Sequence, residues 1–413
     1  MTDARPGPLS GFRVLELTTT VSGPMCGMTL ADQGAEVIKI EPPLTGDTAR
    51  YLGPERGGFT SLFATLNRNK KSVALDLKDE EQRAIYLELV ASADVVLENY
   101  RPGVLDRLGL GYEALSKLNP RLVYASITGY SHGPYENRRV FDPLIQATSG
   151  TAWAQGEGDP DNIKTIIFDK VTALTTAQGI TAALLERERT GEGQFLPVTM
   201  LESALSYQWN DVFWSRAWIG DGVTDAPGEL AEWFPMFHAK DGPVMMILLN
   251  DASIELLSVW RGAELHLDPR FTTIRLRYEN RQAFVAAVDE LIADVEVDEV
   301  CETLDAFGIP VARVNSLDEV MFDPQVQHLG SIIETVHPQG GPMRLARPPV
   351  PFHAHRETAE TFPRHHAPAV GQDSAEILTA LGVDPATVAE LRARDEANRE
   401  ILDAMLDAAK TGD

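Results

Sequence analysis

The chain has 413 residues, 44% hydrophobic and 23% charged, the balance of an ordinary globular protein with room for two domains. Its formal net charge of −25 speaks against general binding to nucleic acid or to anionic membranes. No run of about 18 apolar residues could span a bilayer, residues 1–11 show no basic-then-apolar leader, and Cys26 and Cys301 form no CxxC, so a reducing, cytoplasmic setting is expected. The charge is uneven. Residues 1–142 hold 16 Lys/Arg against 18 Asp/Glu, a net of −2, so −23 falls on the remainder. An anionic ligand would be hosted by the first third.

Phe12–Leu17 (FRVLEL) reads as a strand, Thr18–Ser22 as a polar loop, and Gly23-Pro24 as the start of a helix ending near Gly34. Ala35–Glu41 (AEVIKIE) is the next strand, stopped by Pro42-Pro43. This is a βαβ unit, which implies parallel strands and a right-handed crossover. Its loop offers Gly23 and Gly27 but no G-x-G-x-x-G, which argues against a nicotinamide-dinucleotide site. A helix at Thr60–Leu66, a strand at Ser72–Leu77, a helix at Asp79–Ser92 and strands at Val95–Glu98 and Leu122–Thr128 follow. Such alternation predicts a doubly wound α/β layer structure. The polar loops Thr18–Ser22, Asn99–Gly103 and Gly129–Phe141 each follow a strand's carboxyl end, where open parallel sheets bind ligands.

Between Asn162 and Gln194 the pattern predicts an extended Lys164–Phe168, then Asp169, then a helix over Val171–Arg189 stopped by Gly191. Ala173, Ala177, Gly179, Ala182 and Ala183 let that helix approach its neighbours closely. Asp169 therefore marks a helix entrance. A carboxylate there accepts backbone N–H bonds and gains roughly 0.3–1 kcal/mol from the helix dipole. Read alone, it is a plain N-cap.

Trp209–Ile219 reads as helical and Asp221–Glu232 as a linker. A hairpin at Phe234–Leu249, helices at Ala252–Trp260, Arg281–Ala293 and Val297–Phe307, and a strand at Val311–Val314 suggest a small α+β domain. The expected boundaries are 1–220, 221–325 and 326–413. Pro348–Pro368 is rich in Pro and His and is expected on the surface, before closing helices at Ala375–Leu381 and Pro385–Ala409.

Several constellations carry chemistry in other settings. Gly129-Tyr130-Ser131-His132-Gly133 matches the G-x-S-x-G nucleophile elbow, but Pro134, Tyr135 and Asn137 continue a loop where the elbow needs a helix. His353, His355, His365 and His366, with Glu357 and Glu360 near, lack zinc spacing, so no metal is expected. Cys26 near a helix start reads as a small apolar core residue. Arg68, Lys70, Lys71 and Lys78 flank one strand, and Arg101, Arg107, Arg138 and Arg139 lie near other strand ends. They are either a solvated face or the seat of a phosphate-rich ligand.

The ordered set GPMCGMTLADQGAEVIKIEPP with Gly46-Asp47 and Arg50, NRNKKSVALDLK, ADVVLENYRPGVLDRLGLGYEAL, SITGYSHGPY, FDPLIQATSG, FDKVTALTTAQGITAALLERERTGEGQ and GIPVARVNSLDEVMFDPQ resembles the class III CoA-transferase family. This is also called the carnitine dehydratase/bile-acid-inducible family, and formyl-CoA transferases and α-methylacyl-CoA racemases are among its members. The resemblance spans nearly the whole chain in order. It implies a large Rossmann-like domain made from both chain ends, a smaller middle domain and an interlocked homodimer. It implies an acyl-CoA:carboxylate CoA-transferase with coenzyme A as substrate and no tightly bound cofactor. Asp169 matches the family's nucleophilic aspartate. Leu75, Asp76, Leu77, Lys78, Asn99, Tyr100, Arg101, Arg107 and Arg139 match its CoA contacts by position. Some positions depart. Val21 and Leu62 stand where formyl-CoA transferases have Gln and Tyr, Pro42 replaces an Arg, and Asp225–Glu232 holds only Gly228 where those enzymes have a glycine-rich loop. These departures argue against a formyl or oxalate substrate and for a larger, more apolar acyl group. The alternatives are a racemase on the same scaffold and a non-catalytic CoA-binding protein.

Overall fold

The strand–helix alternation of the first half builds a parallel sheet. A computed structural model describes residues 7–156, 158–224, 229–352 and 362–411. His353, His355, Glu357, Glu360 and Gly228, singled out above, lie outside the described residues. The first segment runs β1 (Arg13–Leu17), α1 (Ser22–Asp32) and β2 (Glu36–Glu41), then a short antiparallel pair, β3 (Glu55–Arg56) and β4 (Phe59–Thr60), then α2 (Ser61–Leu66) and β5 (Lys70–Ala74). It continues through α3 (Glu80–Ala91), β6 (Val95–Glu98), α4 (Val104–Arg107), α5 (Tyr112–Leu118) and β7 (Val123–Thr128). Then come α6 (Asp142–Thr148), α7 (Thr151–Gln155), α8 (Ile167–Thr190), β8 (Phe195–Thr199) and α9 (Met200–Gln208).

The six-stranded sheet has the order β5-β2-β1-β6-β7-β8, and every pairing in it is parallel. Counting only its own strands, this is the doubly wound order 3-2-1-4-5-6, with the switch point between β1 and β6. The interior strands read as runs of apolar residues because both faces are covered. On one face Leu15, Ile38, Val73 and Val96 pack with Tyr86, Leu89 and Leu105. On the other, Val14, Val37 and Val95 pack with Cys26 and Leu30 of α1 and with Ala173, Ala177 and Ile180 of α8. The alanines let α1 and α8 lie close, which brings their N-terminal ends together.

By contact the chain divides into Met1–Ser206 with Gly330–Asp413, and Tyr207–Leu329. The second unit carries a three-stranded antiparallel sheet, β9 (Met236–Ala239), β10 (Gly242–Met246) and β11 (Val311–Arg313), packed on helices that include Asp251–Trp260, Arg281–Ile292 and Val297–Ala306. The first unit gains a hairpin, β12 (Ile332–His337) with β13 (Gly341–Ala346), that the sequence analysis did not single out.

Three local expectations are corrected. Lys164–Phe168 is not extended: α8 already begins at Ile167, so Asp169 sits in its first turn and Ile166 is the N-cap. The Trp209–Ile219 stretch forms only a 3-10 turn at Trp214–Arg216, with Trp209 stacked on Phe213 at 5.2 Å. Part of the predicted surface run is core: Phe362 and Ala367 are buried, Phe362 against Ile333 and Leu345.

Candidate active site

Two helix ends meet at Asp169. The hydroxyl and backbone N–H of Ser22, the first residue of α1, lie near the Asp169 carboxylate and favour its charged form. No side chain of α1's own N-terminus caps it, and Pro24 has no N–H to offer. The Asp169 carboxylate thus stands at the positive end of a second helix.

Its own helix is served by another carboxylate. Asp142, 1% exposed, accepts through Oδ1 from the backbone N–H of Phe168 at 2.5 Å and of Asp169 at 3.3 Å. Its Oδ2 accepts from Gln146 Nε2 at 2.6 Å, and Gln146 Oε1 accepts from Ile163 N at 2.8 Å. Asp142 therefore caps α8 from α6, which corrects the reading of Asp169 as a plain N-cap. Burial pushes the Asp169 carboxyl up to about 6, the nearby Asp142 charge adds to this, and the Ser22 donors and Lys170 oppose it.

The loops expected to hold CoA are placed as follows. Leu75 is 2% exposed and belongs to the core, so it can offer a ligand only backbone. Asp76 closes a turn, accepting from Lys78 N at 3.0 Å. Leu77 and Tyr100 pack partly buried against the cluster that contains Leu75 and Leu105, which puts the 75–78 and 99–107 segments on one face of the sheet. Lys78, Arg101, Arg107 and Arg139 are exposed, and none forms an ion pair among the described residues. Arg139 adjoins Val140, which packs instead with Phe168 and Val171 around the start of α8. Asn99 is committed inward: its Oδ1 accepts from Thr19 N and its Nδ2 donates to Thr19 O, both at 2.9 Å, across the β1/β6 switch point.

Other basic residues are structural. Arg68 pairs with Asp32 at 2.6 Å, and the fully buried Lys70 pairs with Glu16 at 2.8 Å. Lys71 reaches Glu36 and Glu376, each at 3.2 Å. They are not free for phosphate. Arg138 lies over the Tyr135 ring at 3.8 Å. Ser131 and His132 are exposed on the loop after β7, and the side chain of His132 faces Glu136 at 3.1 Å, so the elbow reading has no triad geometry. Val21 is buried, and Leu62 packs on the Phe59–Phe63 cluster, so the expectation of an apolar acyl group gains nothing from them.

A cavity of about 530 Å³ opens at the carboxyl ends of β6, β7 and β8, lined by Glu98, Arg101, Tyr112, Tyr124, Ser126 and Phe195 among others. Burial pushes the Glu98 carboxyl up to about 7, with Asp106 adding to it and the Ser126 hydroxyl and Tyr100 N–H opposing. Asp169 does not line this cavity. Sequence reasoning missed Ser22, Asp142 and Glu98 as members of these sites. Ser22 and Glu98 carried one signal, their position at strand or loop ends of the doubly wound sheet.

The doubly wound parallel sheet makes this an α/β protein, with a half-buried carboxylate at paired helix ends and cations unpaired among the described residues on neighbouring strand-end loops. A family model described as CoA-transferase family III matches residues 9–374. An acetyl-CoA:oxalate CoA-transferase of Acetobacter aceti is 36% identical over 84% of this chain and 91% of its own length. A succinyl-CoA–D-citramalate CoA-transferase of Chloroflexus aurantiacus is 34% identical over 94% and 98%. The crystal structure of a CAIB/BAIF family protein from Brucella suis superposes with a TM-score of 0.78 at 32% identity, covering 91% of this chain and all of that one. The chain belongs to CoA-transferase family III, and it is an enzyme that transfers CoA between an acyl-CoA and a carboxylic acid. No helix among the described residues is long and apolar enough to cross a membrane.

Proposed function

We propose that Asp169 is the nucleophile of this transferase and carries CoA as a covalent aspartyl thioester. The observation that supports it most directly is the division of labour at α8: Asp142 takes the helix's own N–H groups, leaving the Asp169 carboxylate to face Ser22. Covalent catalysis divides a difficult exchange into easier steps. An Asp169 oxygen attacks the donor's thioester carbon, the C–S bond breaks, and CoA thiolate leaves an acyl–aspartyl anhydride. The thiolate attacks the Asp169 carbonyl carbon, expelling the donor acid and forming the aspartyl-CoA thioester. The acceptor carboxylate attacks that thioester, giving a second anhydride and thiolate, and the thiolate then takes the new acyl group and frees Asp169. No proton is consumed. The Ser22 N–H and hydroxyl are the donors best placed for the oxyanions formed at the Asp169 carbonyl.

CoA would be held by Lys78, Arg101, Arg107 and Arg139, with Asn99, Tyr100 and the Leu75–Lys78 turn shaping its path. Remote binding energy of that kind keeps the thiolate in place through the exchange. Relatives are named for oxalate, glutarate, mesaconate and citramalate transfer, which favours a dicarboxylic acid as the acceptor. A homodimer is part of the proposal: Phe141, Leu144, Trp153, Leu174 and Leu185 of the first unit are exposed apolar side chains of the kind that association covers. The test is to quench the enzyme during turnover with hydroxylamine and map the product by mass spectrometry. A hydroxamate at Asp169 is expected. Sustained turnover with a hydroxamate elsewhere, or with none, would reject Asp169.

A further inference from the structure

Thr20 is a β-branched residue held at φ 72. For such a residue the left-handed region is an outlier that the surroundings must enforce. The enforcement is visible. Asp47 Oδ1 accepts from Thr20 N at 2.8 Å and from Ala49 N at 2.8 Å. Asp47 Oδ2 pairs with Lys39 Nζ at 2.9 Å, and Lys39 Nζ also donates to Thr18 O at 2.8 Å and to Glu16 Oε1 at 2.9 Å. Lys39 and Glu16 are fully buried, and Asp47 is 2% exposed. Asn99 holds both backbone groups of the intervening Thr19. Three consecutive residues of the β1–α1 loop are thus pinned from β2, from the loop after β2 and from the end of β6. The next helix residue is Ser22. A Cβ on Gly23 would come within 2.3 Å of the Thr18 side chain, so the loop and the first turn of α1 have no slack between them.

We propose that Asp47 is a positioning residue of the transferase: through Lys39 and the strained Thr20 it fixes the loop that presses Ser22 against the Asp169 carboxylate. Asp47 is buried, and its bonds to Thr20, Ala49 and Lys39 do not reach Asp169. Its action is on where the donors of Ser22 point. The inference rests on Asp169 being the reacting carboxylate.

Asp47→Asn keeps the shape and breaks the ion pair. Because misplacement of about 1 Å can cost about 100-fold, kcat is expected to fall by about 10- to 100-fold, with KM for acyl-CoA changing far less. Losing the Ser22 donors should also move the acid limb of kcat/KM to higher pH. Thr20→Gly removes the strain that Asp47 holds, since glycine adopts φ 72 without steric cost. The same Asp47→Asn change should therefore cost less in a Thr20→Gly background than in the wild type. If Asp47→Asn does not fold, Asn99→Leu releases Thr19 from outside the buried ion cluster and should move the same limb. A fall in kcat with an unmoved limb and additive effects would reduce Asp47 to a structural residue and overturn the proposal, as would unchanged kcat. Failure of the hydroxamate to appear at Asp169 in the wild type would instead sink the nucleophile assignment on which it stands.

Discussion

Asp169→Asn should inactivate the enzyme and stabilise it at the same time. The carboxyl is raised from an ordinary 3.8 to about 6, first by burial and then by Asp142. That is about two pKa units, and at about 1.4 kcal/mol each it amounts to at most about 3 kcal/mol of penalty for the ionised form, less what partial solvent access screens. The sign follows from linkage. A carboxyl whose folded value lies above its unfolded value destabilises the fold wherever the unfolded chain ionises, so the penalty is full above about pH 6, shrinks as pH falls and vanishes below about pH 4. Asparagine fills the same space, carries no charge toward Asp142, and keeps an oxygen for the Ser22 N–H. Urea unfolding at pH 8 should show Asp169→Asn more stable than the wild type by about 1–3 kcal/mol, with the two converging at pH 4. A variant less stable at pH 8, or one with the same advantage at both pH values, would refute the reasoning.

Three further outcomes are expected. Neutralising Lys78 or Arg107 should weaken CoA far more than an analogue lacking the 3′-phosphate and diphosphate, as read by calorimetry; equal losses would make these side chains a solvated face. Sedimentation at sub-micromolar concentration should give about twice the chain mass of 45.3 kDa, and a monomer at every concentration would remove the dimer. In deuterated water an α-methylacyl-CoA should keep its α-proton and optical purity by NMR, because racemisation needs a pair of proton-transfer groups flanking the α-carbon, whereas His132 is exposed beside Glu136 and both oxygens of Asp142 accept hydrogen bonds. Rapid α-deuteration would make the isomerase the better reading.

The alternating elements were legible because strands buried on both faces are apolar along their length, as in the Val95–Glu98 run. The small domain's hairpin was legible through Lys240-Asp241-Gly242, which turns Met236–Ala239 back onto Gly242–Met246. Charge was not legible in the same way. Lys70 and Lys78 look alike in sequence, yet one is fully buried against Glu16 and the other is exposed, because β5 ends between them at Ala74. The site itself was half legible. The position of Asp169 at a helix start follows from local pattern and resemblance. Its partners do not, since Ser22 and Asp142 lie 147 and 27 residues away in sequence and meet it only when α1 and α6 pack on α8. Pattern at one helix end cannot reveal which of two carboxylates caps it.

That last ambiguity bears on the chemistry. A carboxylate that accepts two or three backbone N–H bonds from its own helix is held strongly ionised, with its lone pairs occupied, and is a poor nucleophile. Asp142 relieves Asp169 of that duty by taking the N–H groups of Phe168 and Asp169. The relief has a cost, because it places a second negative charge beside the first in a half-buried site and so raises the Asp169 carboxyl. A carboxyl raised to about 6 is still mostly ionised at neutral pH, as the proposed attack on an acyl carbon requires. Ser22 then limits how far that destabilisation goes, since its hydroxyl and N–H favour the charged form. On the proposed reading, the destabilised carboxylate and the second carboxylate that frees it form one arrangement, in which stability is given up where reactivity is needed.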